Sequence, residues 1–153
     1  MTNIVKKQVT QVNDIIIKSI TRLVIPFIQV YGIFIILHGH VSPGGGFAGG
    51  ALIGTSLVLY TIVFGIDASK RKFSHRVSEY AESGGILFYV FLGLIGLVLT
   101  GSFLTNSNAG FPLGNPGTIF SGGMIPLLMV GIGIKVASTF ITLFHILIEE
   151  ESV

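Results

Sequence analysis

Lys135 stands within a long apolar run, ten residues before His145 and fourteen before Glu149. A lysine at bilayer depth costs about 3 kcal/mol on insertion scales, so such a residue faces protein or water and marks a candidate ion route. At about 100° per residue, Ser138, Thr142, His145 and Glu149 fall within about 80° of Lys135 on a helical wheel, one polar stripe leading to one helix end. That stripe can carry a water-linked proton path. It also has a plainer reading, in which the hydroxyls bond the preceding turn, His145 and Glu149 are interfacial, and Lys135 snorkels or makes a structural contact. His38 and His40 are the other candidates, able to relay protons or to cap a tight turn. Two imidazoles without a cysteine or acid beside them fall short of the three or four ligands of a zinc site, so no metal site is expected.

The seven acids are Asp14, Asp67, Glu79, Glu82, Glu149, Glu150 and Glu151. All read as lying at one membrane edge, so none is expected to meet Lys135 at depth. That leaves a neutral amine, water, carbonyl and hydroxyl ligands, or a carboxylate on another subunit.

These residues need helices that cross a membrane. The chain has 153 residues with only 10% charged, and a mean hydropathy of +0.84, far too apolar for a soluble domain. Four apolar spans are expected, at about 23–38, 47–66, 84–104 and 119–148, each near the ~20 residues that a crossing needs. The fold class is therefore all-α, polytopic, with four transmembrane helices. Eight of the nine basic residues lie before the first span (Lys6, Lys7, Lys18, Arg22) or between the second and third (Lys70, Arg71, Lys72, Arg76). By the positive-inside rule both termini and that link are expected to be cytoplasmic. A location in the cell (plasma) membrane is expected as well.

Residues 1–22 read as a cytoplasmic or interfacial segment, 23–148 as the membrane domain, and 149–153 as an acidic cytoplasmic tail. In the first of these, Val5, Val9, Val12, Ile16 and Ile20 recur at near-helical spacing. They fit either an amphipathic helix along the interface or the protruding start of a long first helix. No compact apolar block or cleavage site marks a signal peptide, so the N-terminus is expected to be retained.

Between the first two spans runs H-G-H-V-S-P-G-G-G-F-A-G-G, residues 38–50. Pro43 and the three glycines after it allow a sharp reversal before a new helix. Gly46, Gly50 and Gly54 then fall four apart, a ladder that lets another helix's backbone come close. The glycines spell no phosphate-binding or dinucleotide motif, no serine–histidine–acid spacing is present, and the absence of cysteine removes thiol chemistry. No catalytic residue, cofactor or nucleic-acid partner is expected.

Gly39-His40, Pro43-Gly44-Gly45-Gly46-Phe47 and Gly49-Gly50 resemble the G-H-x-x-P-G-G-G-F-x-G-G signature of the MrpB/MnhB family. Residues 119–123, 125–127 and 131–136 are similar to the last helix of many relatives. The resemblance covers roughly residues 23–148. It implies a non-catalytic accessory membrane subunit of a multisubunit Na+/H+ antiporter, or of the membrane arm of a hydrogenase or sulfane-sulfur reductase, with other antiporter-module subunits and lipid as partners. Two roles are open. In one, Lys135, Ser138, Thr142, His145, His38 and His40 contribute to an ion path for Na+ or H+. In the other the chain is a packing scaffold whose Gly46/Gly50/Gly54 face joins partner subunits without touching the ions.

Overall fold

The computed structural model describes residues 2–111, 113–115, 117–118 and 121–151, with side chains except at 2–13, 107 and 151. The expected start of the last helix at Ile119 and the side chains of Val5, Val9 and Val12 lie outside the described residues. The elements are α1 (Thr2–Leu37), α2 (Gly45–Phe64), α3 (Ile66–Lys72), α4 (His75–Thr100) and α5 (Ile125–Glu151), with a 3-10 turn at Ser107–Ala109. Four segments are long and apolar enough to cross a membrane: Asp14–Leu37, Gly45–Phe64, His75–Thr100 and Ile125–Glu150. The protein is all-helical among the described residues and polytopic.

Helix boundaries differ from those read off hydropathy, because backbone signals and not apolar composition set them. α1 is continuous from Thr2, through residue 22 and past Pro26, and its 36 residues make a rod of about 54 Å. α4 begins at His75, nine residues before the expected Gly84, because Ser74 takes the extended conformation of a helix start and nothing between them breaks the backbone pattern. It ends at Thr100 rather than 104, where Gly101 turns left-handed at φ 74°. α5 begins at Ile125, with Pro126 in its first turn, where a missing N–H costs no helical bond. The short α3 fills the link after α2, where hydropathy marks no helix.

The helices form an open row. α1 packs on α2, α2 on α5 and α5 on α4, while α1 also touches α5. The glycine ladder explains the centre of that row. Gly46 meets Met129 and Ile132, Gly50 meets Gly133 and Val136, and Gly54 meets Ala137 and Phe140, so α2 and α5 run parallel at a constant offset of 83 residues. A Cβ on Gly50 would stand 2.6 Å from the Gly133 carbonyl oxygen. The ladder is therefore occupied by the chain's own last helix, which corrects the expectation that this face joins partner subunits. Few apolar side chains are fully enclosed, among them Met124 and Ile141, each 1% exposed, whereas α1 shows Ile15, Leu23, Phe27 and Val30 to its surroundings. That is the surface of a protein whose outer contacts are lipid or other membrane helices.

After α4 the chain doubles back on it. The Phe103 ring lies on Gly93, and the Thr105 amide nitrogen lies beside Gly96. Leu104 holds φ 62°, an uncommon conformation for a residue with a Cβ. Asn106 then clamps the entry to α5. Its Oδ1 accepts from the Met124 N–H at 2.9 Å and its Nδ2 donates to the Gly122 carbonyl at 2.8 Å. Asn106→Ala removes both bonds and is expected to cost about 1–2 kcal/mol, read as a lower melting temperature of the purified protein in detergent.

Candidate functional site

α4 and α5 cross antiparallel where two glycines meet. A Cβ on Gly85 would stand 2.6 Å from the Gly131 carbonyl oxygen and 3.0 Å from the Lys135 Cβ. This close approach sets the next turn of each helix side by side. Glu82 precedes Gly85 by three residues and Lys135 follows Gly131 by four, so the two charged side chains meet. Lys135 Nζ lies 3.3 Å from Glu82 Oε1, and the Thr139 hydroxyl donates to the same oxygen at 2.9 Å.

The expectation that no acid of this chain reaches Lys135 is thus overturned. Its error was the start of α4: a helix beginning at His75 carries Glu82 two turns in, not in a loop at the membrane edge. Lys135 is ten residues into α5, about 15 Å from the helix start and so about half the thickness of a bilayer core. The side chains of Lys135 and Glu82 keep 34% and 31% of their surface open. Beside them is a cavity of 280 Å³ lined by Gly85, Ile86, Tyr89, Gly131, Ile132 and Lys135.

The rest of the polar stripe divides. Ser138 donates to the Ile134 and Lys135 carbonyls at 3.0 Å each, the backbone contact of the plainer reading. Thr142 Oγ1 is buried with no hydrogen-bond partner among the described residues. His145, 4% exposed, reaches away from Lys135: its Nε2 is 3.0 Å from Ser69 Oγ, which is 2.7 Å from Thr61 Oγ1. Thr61 in turn donates to the Leu57 carbonyl. These bonds run in an unbroken line from Leu57 through Thr61 and Ser69 to His145. This enclosed chain, together with the Lys70–Glu149 ion pair, fastens α3 to α2 and α5.

At the opposite end, His38 and His40 do not converge. His38 Nδ1 donates to the Phe34 carbonyl at 3.0 Å and its ring stacks on Phe34. His40 reaches across to the segment before α5, where Nε2 lies 2.9 Å from the Thr118 carbonyl oxygen and 3.0 Å from Ser121 Oγ. Among the described residues no three histidine, cysteine or acid side chains gather as a metal site would need.

Glu82, Thr139, Ser69 and Thr61 were missed in the sequence. Thr139 carried a signal, one turn beyond Lys135 on the same face. Glu82 carried one only in hindsight of the Gly85–Gly131 crossing.

Known proteins share this architecture. Residues 16–142 match the family described as the domain related to the MnhB subunit of Na+/H+ antiporter. The chain is 31% identical over 134 residues to a Na+/H+ antiporter subunit of Bacillus subtilis, covering 83% of this chain and 92% of that protein. It is 41% identical over 108 residues to an uncharacterised protein of Methanocaldococcus jannaschii, covering 69% of this chain and 41% of that one. Among solved structures it is similar to a chain of the membrane-bound sulfane sulfur reductase, an archaeal respiratory membrane complex. There the TM-score is 0.71 at 36% identity, over 86% of this chain and 57% of that one. The chain thus spans less than two thirds of both the Methanocaldococcus protein and the solved reductase chain. With the family match extending over most of its length, the chain belongs to the family of the MnhB-related domain of Na+/H+ antiporters.

Proposed function

We propose that the chain is an accessory subunit of a multisubunit Na+/H+ antiporter module in the cell membrane, standing alone or joined to a respiratory hydrogenase- or reductase-type complex. In this reading its contribution to the ion path is the Glu82–Lys135–Thr139 cluster. The observation that carries it is an ion pair joining two helices long and apolar enough to cross a membrane, seven residues into α4 and ten into α5, with a third of each side chain still open. Hydrocarbon does not accommodate such a pair, so its open side meets water or a neighbouring subunit. A carboxylate held by an ammonium at 3.3 Å can exchange that partner for a proton or Na+, and the ammonium can in turn release its own proton. The Lys135 side chain borders the adjacent 280 Å³ cavity.

The basic link around α3 marks the cytoplasmic side in this proposal, so His145 lies at the cytoplasmic end of α5. Ser138 and the buried Thr142 hydroxyl lie between it and Lys135, and waters would complete a path. The chain is not itself an enzyme in this reading.

The test is Lys135→Met in the assembled complex. The complex is expected to assemble with reduced stability, because Glu82 is left without its partner, while proton-coupled cation transport falls about tenfold or more. Lys135→Arg is expected to impair it too, because arginine does not release its proton. Normal transport by Lys135→Met supports the scaffold role instead, with the ion pair only seating α4 on α5.

A further inference from the structure

Between α1 and α4 runs a cavity of 330 Å³, walled by Ile33 of α1, Ile53 and Leu57 of α2, Phe73 before α4, and the Val130–Ile141 face of α5. Its lining is apolar but for Ser78 and Ser138, and the Ser138 hydroxyl is already bonded to its own helix. The α2 wall continues past Leu57 as Tyr60 and Phe64, because positions i, i+4, i+7 and i+11 from Ile53 share one helix face. There the character changes. The two rings stack with centroids 4.6 Å apart, and each carries a cation: Lys72 Nζ lies 4.8 Å from the Tyr60 centroid and Arg22 Cζ lies 5.3 Å from that of Phe64. Lys72 adjoins Phe73 of the wall, and Arg22 stands three turns before Ile33 on the same side of α1. Both are exposed, and neither joins the ion pairs formed among the described residues, which are Lys70–Glu149, His75–Glu79 and Lys135–Glu82.

We propose that this trough binds an anionic phospholipid, with an acyl chain in the apolar cavity and the phosphate between Arg22 and Lys72. The dimensions agree. From Val130 to Ile141 the α5 wall rises about 16 Å, close to the ~15 Å of hydrocarbon in one leaflet. Tyr60 and Phe64 lie about 5 and 10 Å beyond Leu57 along α2, the distance at which a headgroup layer of roughly 5–8 Å follows the hydrocarbon. The charge selects the lipid. An apolar partner helix or a zwitterionic lipid covers the cavity but leaves both cations without a net counter-charge, whereas an anionic headgroup supplies one. The rings hold the two cations at the foot of the trough before any lipid arrives.

The readout is fluorescence, independent of ion transport. The sequence has no tryptophan, so Phe73→Trp gives the full chain a sole reporter at the foot of the cavity. The chain, in phosphatidylcholine vesicles, receives a small fraction of phosphatidylglycerol or of phosphatidylcholine brominated on the acyl chains. The brominated phosphatidylglycerol is expected to quench at about tenfold lower mole fraction. Tyr80→Trp, on the outer side of α4 where Tyr80 is 76% exposed, is expected to be quenched about equally by both. Arg22→Gln with Lys72→Gln is expected to abolish the preference at Phe73→Trp, and Arg22→Lys with Lys72→Arg to keep it. Equal quenching at Phe73→Trp makes the trough a plain apolar face for bulk lipid or a partner helix and overturns the proposal. The same preference at Tyr80→Trp, or its persistence in the glutamine pair, overturns it too. If the glutamine pair does not insert, salt decides: a preference that fades as ionic strength rises supports the site, and one indifferent to salt overturns it.

Discussion

Gly50→Leu is expected to leave the chain unable to hold α2 against α5. The Cβ position lies 2.6 Å from the Gly133 carbonyl oxygen and 3.0 Å from the Gly133 Cα, and backbone cannot rotate aside as a side chain would. Overpacking in ordinary cores costs about 1–3 kcal/mol, and an obstacle made of backbone puts this site at or above the top of that range. The isolated chain in detergent should become protease-sensitive and elute as a broad species. Gly84→Leu is the control, because no described residue lies within 4 Å of the Cβ position there. A Gly50→Leu chain that stays compact alone and merely loses its partners would mean that the ladder is not what joins α2 to α5.

Glu82→Ala is expected to destabilise the complex strongly, and adding Lys135→Met is expected to restore most of the loss. Removing one member of a buried ion pair costs about 3–5 kcal/mol, whereas replacing both by apolar side chains is often neutral. With roughly a third of each side chain open, the low end of that range applies. Thermal unfolding of the purified complex gives the four corners of the cycle. A double variant no more stable than Glu82→Ala would show that Lys135 and Glu82 do not depend on each other. The restored double variant should still fail to transport, which separates the pair's role in folding from its role in ion movement.

Hydropathy and glycine spacing made the four spans and the reversal at residues 38–46 legible, because each depends on local composition. Lys135 was legible as an isolated charge, but its partner was not. Glu82 looked like part of a polar link because apolar windows stop at charges, while a helical backbone does not. Direction was equally hidden at the glycine ladder: spacing says that a helix comes close, and only the fold says that it is the chain's own α5. Ser69 and Thr61 were silent for a similar reason. Their pairing with His145 depends on how a seven-residue helix folds back after α2, which no periodicity encodes.

The offset of 83 residues between α2 and its parallel partner also governs how the protein is made. When α2 leaves the ribosome, the helix that fills its glycine face has not been translated. At about 5–20 residues per second the wait is roughly 4–17 s. α4 emerges in the interval, but its place is on the far side of α5, so it cannot fill the gap. Biogenesis therefore passes through an α1–α2 hairpin whose notched side stands open in the membrane. A nascent chain halted before residue 125 would be a quality-control substrate, however well its first two helices had inserted.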